Sequence, residues 1–283
     1  MKSIVLSRLA QTLCFAAFAA CMSSAHAAPA CCDSKEAALP TPPEGYAWEM
    51  NPYLSDEFNV DGLDTRKWMP KHPFWEGRDS YFTESNVSVS DGMLRLRSSL
   101  KNPRGKVKPK NITSAIMASN KPITEPGFYQ ARIKASDLSM TTAFWFQGDY
   151  SEIDVIENIG TPSLAESEWH EDTMAMNTHY YKEGWENDID TPVKWTMPAK
   201  ARDAFMVFGV WWLEDGTIRF YCNGEHVAEV KAGGDFDEPM YMYFDTEVFK
   251  WHGQPTKKSL LDESKNTFLV DWVRGWNLVA EDS

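Results

Sequence analysis

SEIDVIEN, residues 151–158, sets three carboxylates, Glu152, Asp154 and Glu157, among the β-branched residues Ile153, Val155 and Ile156. Those neighbours favour a strand over a helix. Strand side chains alternate between faces, so Glu152 and Asp154 share one face while Glu157, an odd number of positions further on, belongs to the other. A single β-bulge between Asp154 and Glu157 resolves the conflict. One residue is absorbed, Glu157 returns to the acidic face, and Val155 or Ile156 goes to the core. The plainer alternative, acids on a solvated strand face, needs no such bulge.

With one residue absorbed, the outer acids are spaced like i and i+4, roughly 13 Å between Cα atoms at about 3.3 Å per residue. Glutamates leaning toward each other across that span bring their carboxyl groups to about 5–7 Å, overlapping the ~5–5.5 Å of retaining glycosidases more than the ~6.5–9.5 Å of inverting ones. Close carboxylates cannot all ionise cheaply, so such a set favours one protonated acid beside an ionised nucleophile.

The N-terminus says where this chemistry takes place. Lys2 and Arg8 precede an apolar run ending near Met22, followed by SSAHAAPA, so residues 1–27 read as a signal peptide cleaved after Ala27 and the protein is expected to be secreted. The run is short for a membrane span, and no transmembrane segment is expected. FAAC, ending at Cys21, loosely resembles a lipoprotein processing site and leaves a lipid-anchored cell-surface form as the alternative. Loss of the leader removes two basic residues and no acids, taking the formal charge from −13 to −15. Nucleic acid is therefore excluded as a partner. The same charge argues softly against densely sulfated polymers, because salt screens long-range repulsion.

Residues 28–45 have the Pro, Ala and charge content of a linker and hold Cys31 and Cys32, whose pairing is open. Residues 46–283 form one catalytic domain of short β-rich segments. NVSVSDGMLRLRSSL turns at Asp91-Gly92, TIRFYCNGEHVAEV turns at Asn223-Gly224, and helical periodicity is nearly absent. The fold class is therefore all-β: a jelly-roll sandwich of two antiparallel sheets, with an open substrate groove on the concave face. Cys222, in a strand-like run, is expected to be a buried thiol. Of the twelve tryptophans, Trp211 and Trp272 belong to packing, whereas Trp75, Trp145, Trp185 and Trp251 are candidate platforms for pyranose rings.

EIDVIE in a β-rich exported chain resembles the active-site strand of glycoside hydrolase family 16, whose bulged members carry E-x-D-x-x-E. Within that family the flanking segments look most like β-agarases: FWEGRDSYF at 74–82, TAFWFQGDYSEIDVIENIG at 142–160, MNTHYY at 176–181, FDTEVFKWHGQPT at 244–256 and NTFLVDWVRGW at 266–276. The resemblance implies an endo-acting, retaining hydrolase of agarose, with porphyran or another sulfated galactan as the alternative and a non-catalytic galactan-binding protein as the different-class reading. It implies Glu152 as nucleophile, Glu157 as acid and then base, and Asp154 as the group between them. Trp75, Arg78, Trp145, His179, Glu247 and Trp251 would bind substrate.

No cofactor is expected for the chemistry. Related sandwiches hold a structural calcium ion through backbone oxygens near a DEF segment and a DG turn plus an Asp near the last strand, and Glu57 in SDEF at 55–58, Gly92 and Asp271 match that pattern. A monomer is expected. The basic stretch KNPRGKVKPKN at 101–111 reads as a solvated loop, or as a sulfate contact if the polymer is sulfated.

Overall fold

The computed structural model describes residues 36–281. The leader, its cleavage position, and Cys14, Cys21, Cys31 and Cys32 lie outside the described residues. Strands run from Tyr46–Asp56 to Thr267–Ala280, and the single α-helix among the described residues is the one-turn segment Lys257–Leu260. None is long and apolar enough to cross a membrane.

Two sheets form the sandwich. The outer one has eight strands, among them Gly127–Lys134, Met206–Trp212 and Thr267–Ala280; the second has ten. Across the middle of the ten-stranded sheet run Thr173–Tyr180, Ser151–Ile159, Thr141–Gln147, Tyr241–Thr246 and Ile112–Ser119, each antiparallel to the next. The turns expected to drive the hairpins are present: Asp91-Gly92 and Asn223-Gly224 both have positive φ at their two residues, the type I′ geometry that matches strand twist.

The core lies between the sheets. Phe144 and Phe146 point into it from one strand, and Phe144 stacks on Phe244 at 4.6 Å. Each such ring contributes on the order of 1.5–3 kcal/mol by leaving water. Because strand faces alternate, burying Phe144 and Phe146 turns Ala143, Trp145 and Gln147 to the other side, where the groove lies. Trp211 and Trp272 are buried, as is the Cys222 thiol. Residues 36–45 have no regular structure but are tied to the outer sheet, with the Trp48 indole N–H donating to the Pro40 carbonyl at 2.7 Å and Arg274 pairing with Glu36.

Candidate active site

The bulge lies where the parity of the acids requires it. Asp154 pairs with Trp145 and Ile156 with Phe144, so Val155 is the extra residue, and Ile153, Val155 and Ile156 are all buried. Glu157 then pairs with Ala143 and shares a face with Glu152 and Asp154. The register builds the groove floor in rows. Glu152 lies beside His179 on one side and Gln147 and Tyr241 on the other; Asp154 beside Asn177, Trp145 and Tyr243; Glu157 beside Ala143 and Asp245.

Loops build the walls of this groove of about 660 Å³. Gly77 has φ +103°, and a Cβ there would lie 2.5 Å from the Ser80 carbonyl oxygen, so only glycine lets the chain turn at this point. The turn directs the Arg78 backbone N–H to Glu247 Oε2 at 3.2 Å, joining two loops 169 positions apart in sequence. The Arg78 guanidinium lies over Trp75, Phe249 and Trp251 at 5.7, 5.7 and 5.1 Å and makes no ion pair among the described residues. Lys250 bridges to Asp79 at 3.5 Å across the same junction. On the opposite wall Trp185, 60% exposed, stacks on Tyr181 at 3.7 Å.

The electrostatics separate the two glutamates. Burial, then the charges of Asp154 and Glu247, push Glu157 up to about 8, and no hydrogen bond supports its ionised form among the described residues. Glu152 is raised well above its ordinary value by burial and then by Asp154, and the charge of His179 works against the shift in both glutamates. What separates them is the 2.7 Å hydrogen bond that Glu152 accepts from Gln147 Nε2, which favours its ionised form and has no counterpart at Glu157 among the described residues.

Two demands meet at His179 Nε2. Asn177 spends its amide oxygen on the backbone N–H groups of Thr178 and Thr191, so its NH₂ faces Nε2 at 3.0 Å and asks for a lone pair there. Burial also disfavours a charge, but Asp154 at 3.5 Å, Asp188 at 2.6 Å and Glu152 outweigh both and push the pKa up to about 10. Charge-assisted contacts exceed one neutral amide contact, so His179 is an imidazolium at neutral pH and braces Asp154.

A pH dependence follows. Glu157 must be protonated to act as an acid, so its raised pKa predicts that kcat/KM stays high at neutral pH and falls as pH rises through about 8. Rates measured across pH 5–10 check this, and a profile flat beyond pH 9 would contradict it.

All nine expected catalytic and binding side chains, Glu152, Asp154, Glu157, Trp75, Arg78, Trp145, His179, Glu247 and Trp251, line this one groove. Trp145 differs from an open platform. It is 7% exposed, donates its indole N–H to Asp245 at 2.8 Å and stacks on Tyr243 at 4.4 Å, so it forms floor, while Trp185 and Trp251 offer more open ring surface. His179 spends its nitrogens on protein groups rather than on the open groove. Lys106, Lys108 and Lys110 are exposed on a loop pinned by buried Asn111, and none of them lines the groove.

His72, Gln147, Tyr181, Asp245 and Phe249 also line the groove and were not anticipated. Gln147 had a signal, since it lies two positions after Trp145 and so on the same strand face.

At the residues expected to hold calcium, the Asp271 carboxylate accepts a 2.7 Å bond from Arg132 and the Glu57 carboxylate one of 2.7 Å from Arg274, so both side chains have guanidinium partners. The group of ligand atoms close enough for a metal among the described residues is Glu152, Asp154 and His179, whose carboxylates are the ones suited to glycosidic chemistry.

A sandwich carrying a bulged triad of acids in an open, aromatic-walled groove is the architecture of a polysaccharide-cleaving glycoside hydrolase. The chain belongs to glycoside hydrolase family 16: residues 48–278 match the family model described as Beta-porphyranase A-D, GH16 domain. It is 33% identical over 269 residues to β-porphyranase E of Zobellia galactanivorans, covering 85% of this chain and 91% of that one. A β-agarase of Agarivorans albus is 28% identical over 83% of this chain and 59% of its own. The crystal structure of a β-porphyranase from the human gut bacterium Bacteroides plebeius superposes with a TM-score of 0.77 at 30% identity, covering 86% of this chain and 96% of that one.

Proposed function

We propose that the protein is a secreted, endo-acting, retaining hydrolase of a sulfated, porphyran-type galactan. The observation that carries this reading is Arg78, a groove-wall guanidinium framed by three aromatic rings and without an ion pair among the described residues. A planar, weakly hydrated guanidinium suits a sulfate, which it can bind through two parallel hydrogen bonds. Within the groove that charge acts at longer range on Glu157 and Glu247, and no carboxylate among the described residues pairs with it directly. The family model and the relatives named β-porphyranase support the same substrate. The neutral agarose expected from the flanking segments becomes the second reading, supported by the β-agarase relative and the aromatic walls.

The roles follow from the site. Ionised Glu152 attacks the anomeric carbon while Glu157 gives its proton to the departing glycosidic oxygen, leaving a glycosyl ester on Glu152. Glu157, now a carboxylate, takes a proton from water, which opens the ester and restores both groups. Asp154, braced by His179, lies between them and opposes simultaneous ionisation.

Incubation with porphyran, agarose, carrageenan and laminarin, reading new reducing ends, tests the substrate. Porphyran is expected to be cut fastest, and cleavage of agarose alone would return the assignment to the second reading. NMR of early products should detect the β-anomer first, because double displacement retains configuration. Viscosity should fall well before reducing ends accumulate, since an open groove admits internal linkages. Immediate α-anomer would refute the covalent route.

A further inference from the structure

We propose that His72 and Tyr181 are positioning residues for the nucleophile, holding the Gln147 amide with its oxygen toward them and its NH₂ toward Glu152. The inference rests on the assignment of Glu152 as nucleophile.

The tautomer of His72 can be read from its surroundings. Its Nδ1 accepts the backbone N–H groups of Phe74 and Trp75, both at 3.1 Å. A ring nitrogen that accepts carries no hydrogen, so the neutral ring bears its hydrogen on Nε2. That N–H is buried and has no partner at full hydrogen-bond geometry, and the same is true of the Tyr181 hydroxyl. An unpartnered buried donor is costly, so two of them bordering one groove call for an acceptor.

Gln147 supplies it. Its Nε2 donates to Glu152 Oε2 at 2.7 Å, which turns its Oε1 away from the carboxylate. Burial lowers His72 to about 4 and raises Tyr181, and the nearby Gln147 amide works against burial in each, the sense expected of an acceptor within reach of both donors. His72 is also held in place, stacked on Tyr243 at 4.8 Å with 10° between the planes, and Tyr181 stacks on Trp185 at 3.7 Å. With a pKa of about 4, His72 stays neutral through the working range and keeps Nδ1 as an acceptor.

The lock is directional. A flipped amide would set its oxygen against the Glu152 carboxylate and its NH₂ against two donors. Held as it is, the amide is a preorganised dipole that favours ionised Glu152 and lowers its pKa.

A double-mutant cycle on the pH profile tests this. Tyr181→Phe and His72→Phe should each move the acidic limb of kcat/KM upward, by about half to one pH unit for a loosened charge-assisted hydrogen bond. In a Gln147→Leu background neither substitution should move the limb further. Tyr181→Phe removes a single oxygen, so its cycle decides the matter if His72→Phe fails to fold. A limb unmoved in Tyr181→Phe, or a shift that persists without Gln147, overturns the proposal. Failure of the underlying assignment looks different: Glu152→Gln would then still turn over, whatever the cycle gives.

Discussion

Glu152→Gln is expected to abolish hydrolysis, with kcat falling on the order of 10⁵-fold, the scale seen when a covalent nucleophile is removed from its site. The amide preserves size and can accept the Gln147 N–H through its own oxygen, so the groove floor keeps its form. It cannot form a stable glycosyl ester. Burial, Asp154 and Glu247, which hold the Glu157 pKa up, are untouched by the substitution. Oligosaccharide binding, measured by calorimetry, should change little because the walls at Arg78, Trp185 and Trp251 are untouched. Binding without turnover separates the enzyme from a galactan-binding protein. Hydrolysis near the wild-type rate would remove Glu152 from the mechanism.

Arg78→Met should lower kcat/KM on porphyran roughly 10–100-fold, the equivalent of about 1.5–3 kcal/mol for a hydrogen bond to a charged group, and leave agarose cleavage nearly unchanged. Methionine keeps apolar contact with the surrounding rings and loses the charge. Wild-type activity on porphyran should decline with ionic strength, and the variant should flatten that dependence. Neutralising Lys106, Lys108 and Lys110 together should have little effect, because their loop is solvated and lies outside the groove. A large loss from the lysine variant with none from Arg78→Met would move sulfate recognition to that loop. Equal losses on both polymers would make Arg78 a general wall residue and favour agarose.

Local rules were sufficient for the catalytic strand. Three β-branched residues among three acids of mismatched parity demand a bulge, and Val155 is the residue absorbed. The hairpins at Asp91-Gly92 and Asn223-Gly224 were equally legible, since each turn chemistry is contained in two residues. Trp145 was legible as a groove residue but not as a buried one. Its exposure depends on Asp245, 100 positions away, which captures the indole N–H. The partners of the residues expected near a calcium ion were hidden for a related reason: Asp271 meets an arginine 139 positions earlier in the chain, and Glu57 one that lies 217 positions later. Charge partners at such separations leave no local pattern.

The sequence by itself determined the all-β class, the bulged acidic strand and the chemistry those acids can perform, because strand periodicity and carboxylate repulsion act over a few residues. Only the tertiary structure decided which glutamate accepts the Gln147 hydrogen bond, which buried donors border the same groove, and which basic residue lines it. Those outcomes depend on burial and on loops that close over the sheet from distant parts of the chain. Arg78 and the exposed lysines carry the same charge, and folding alone sets one against three aromatic rings in the groove and leaves the others in water.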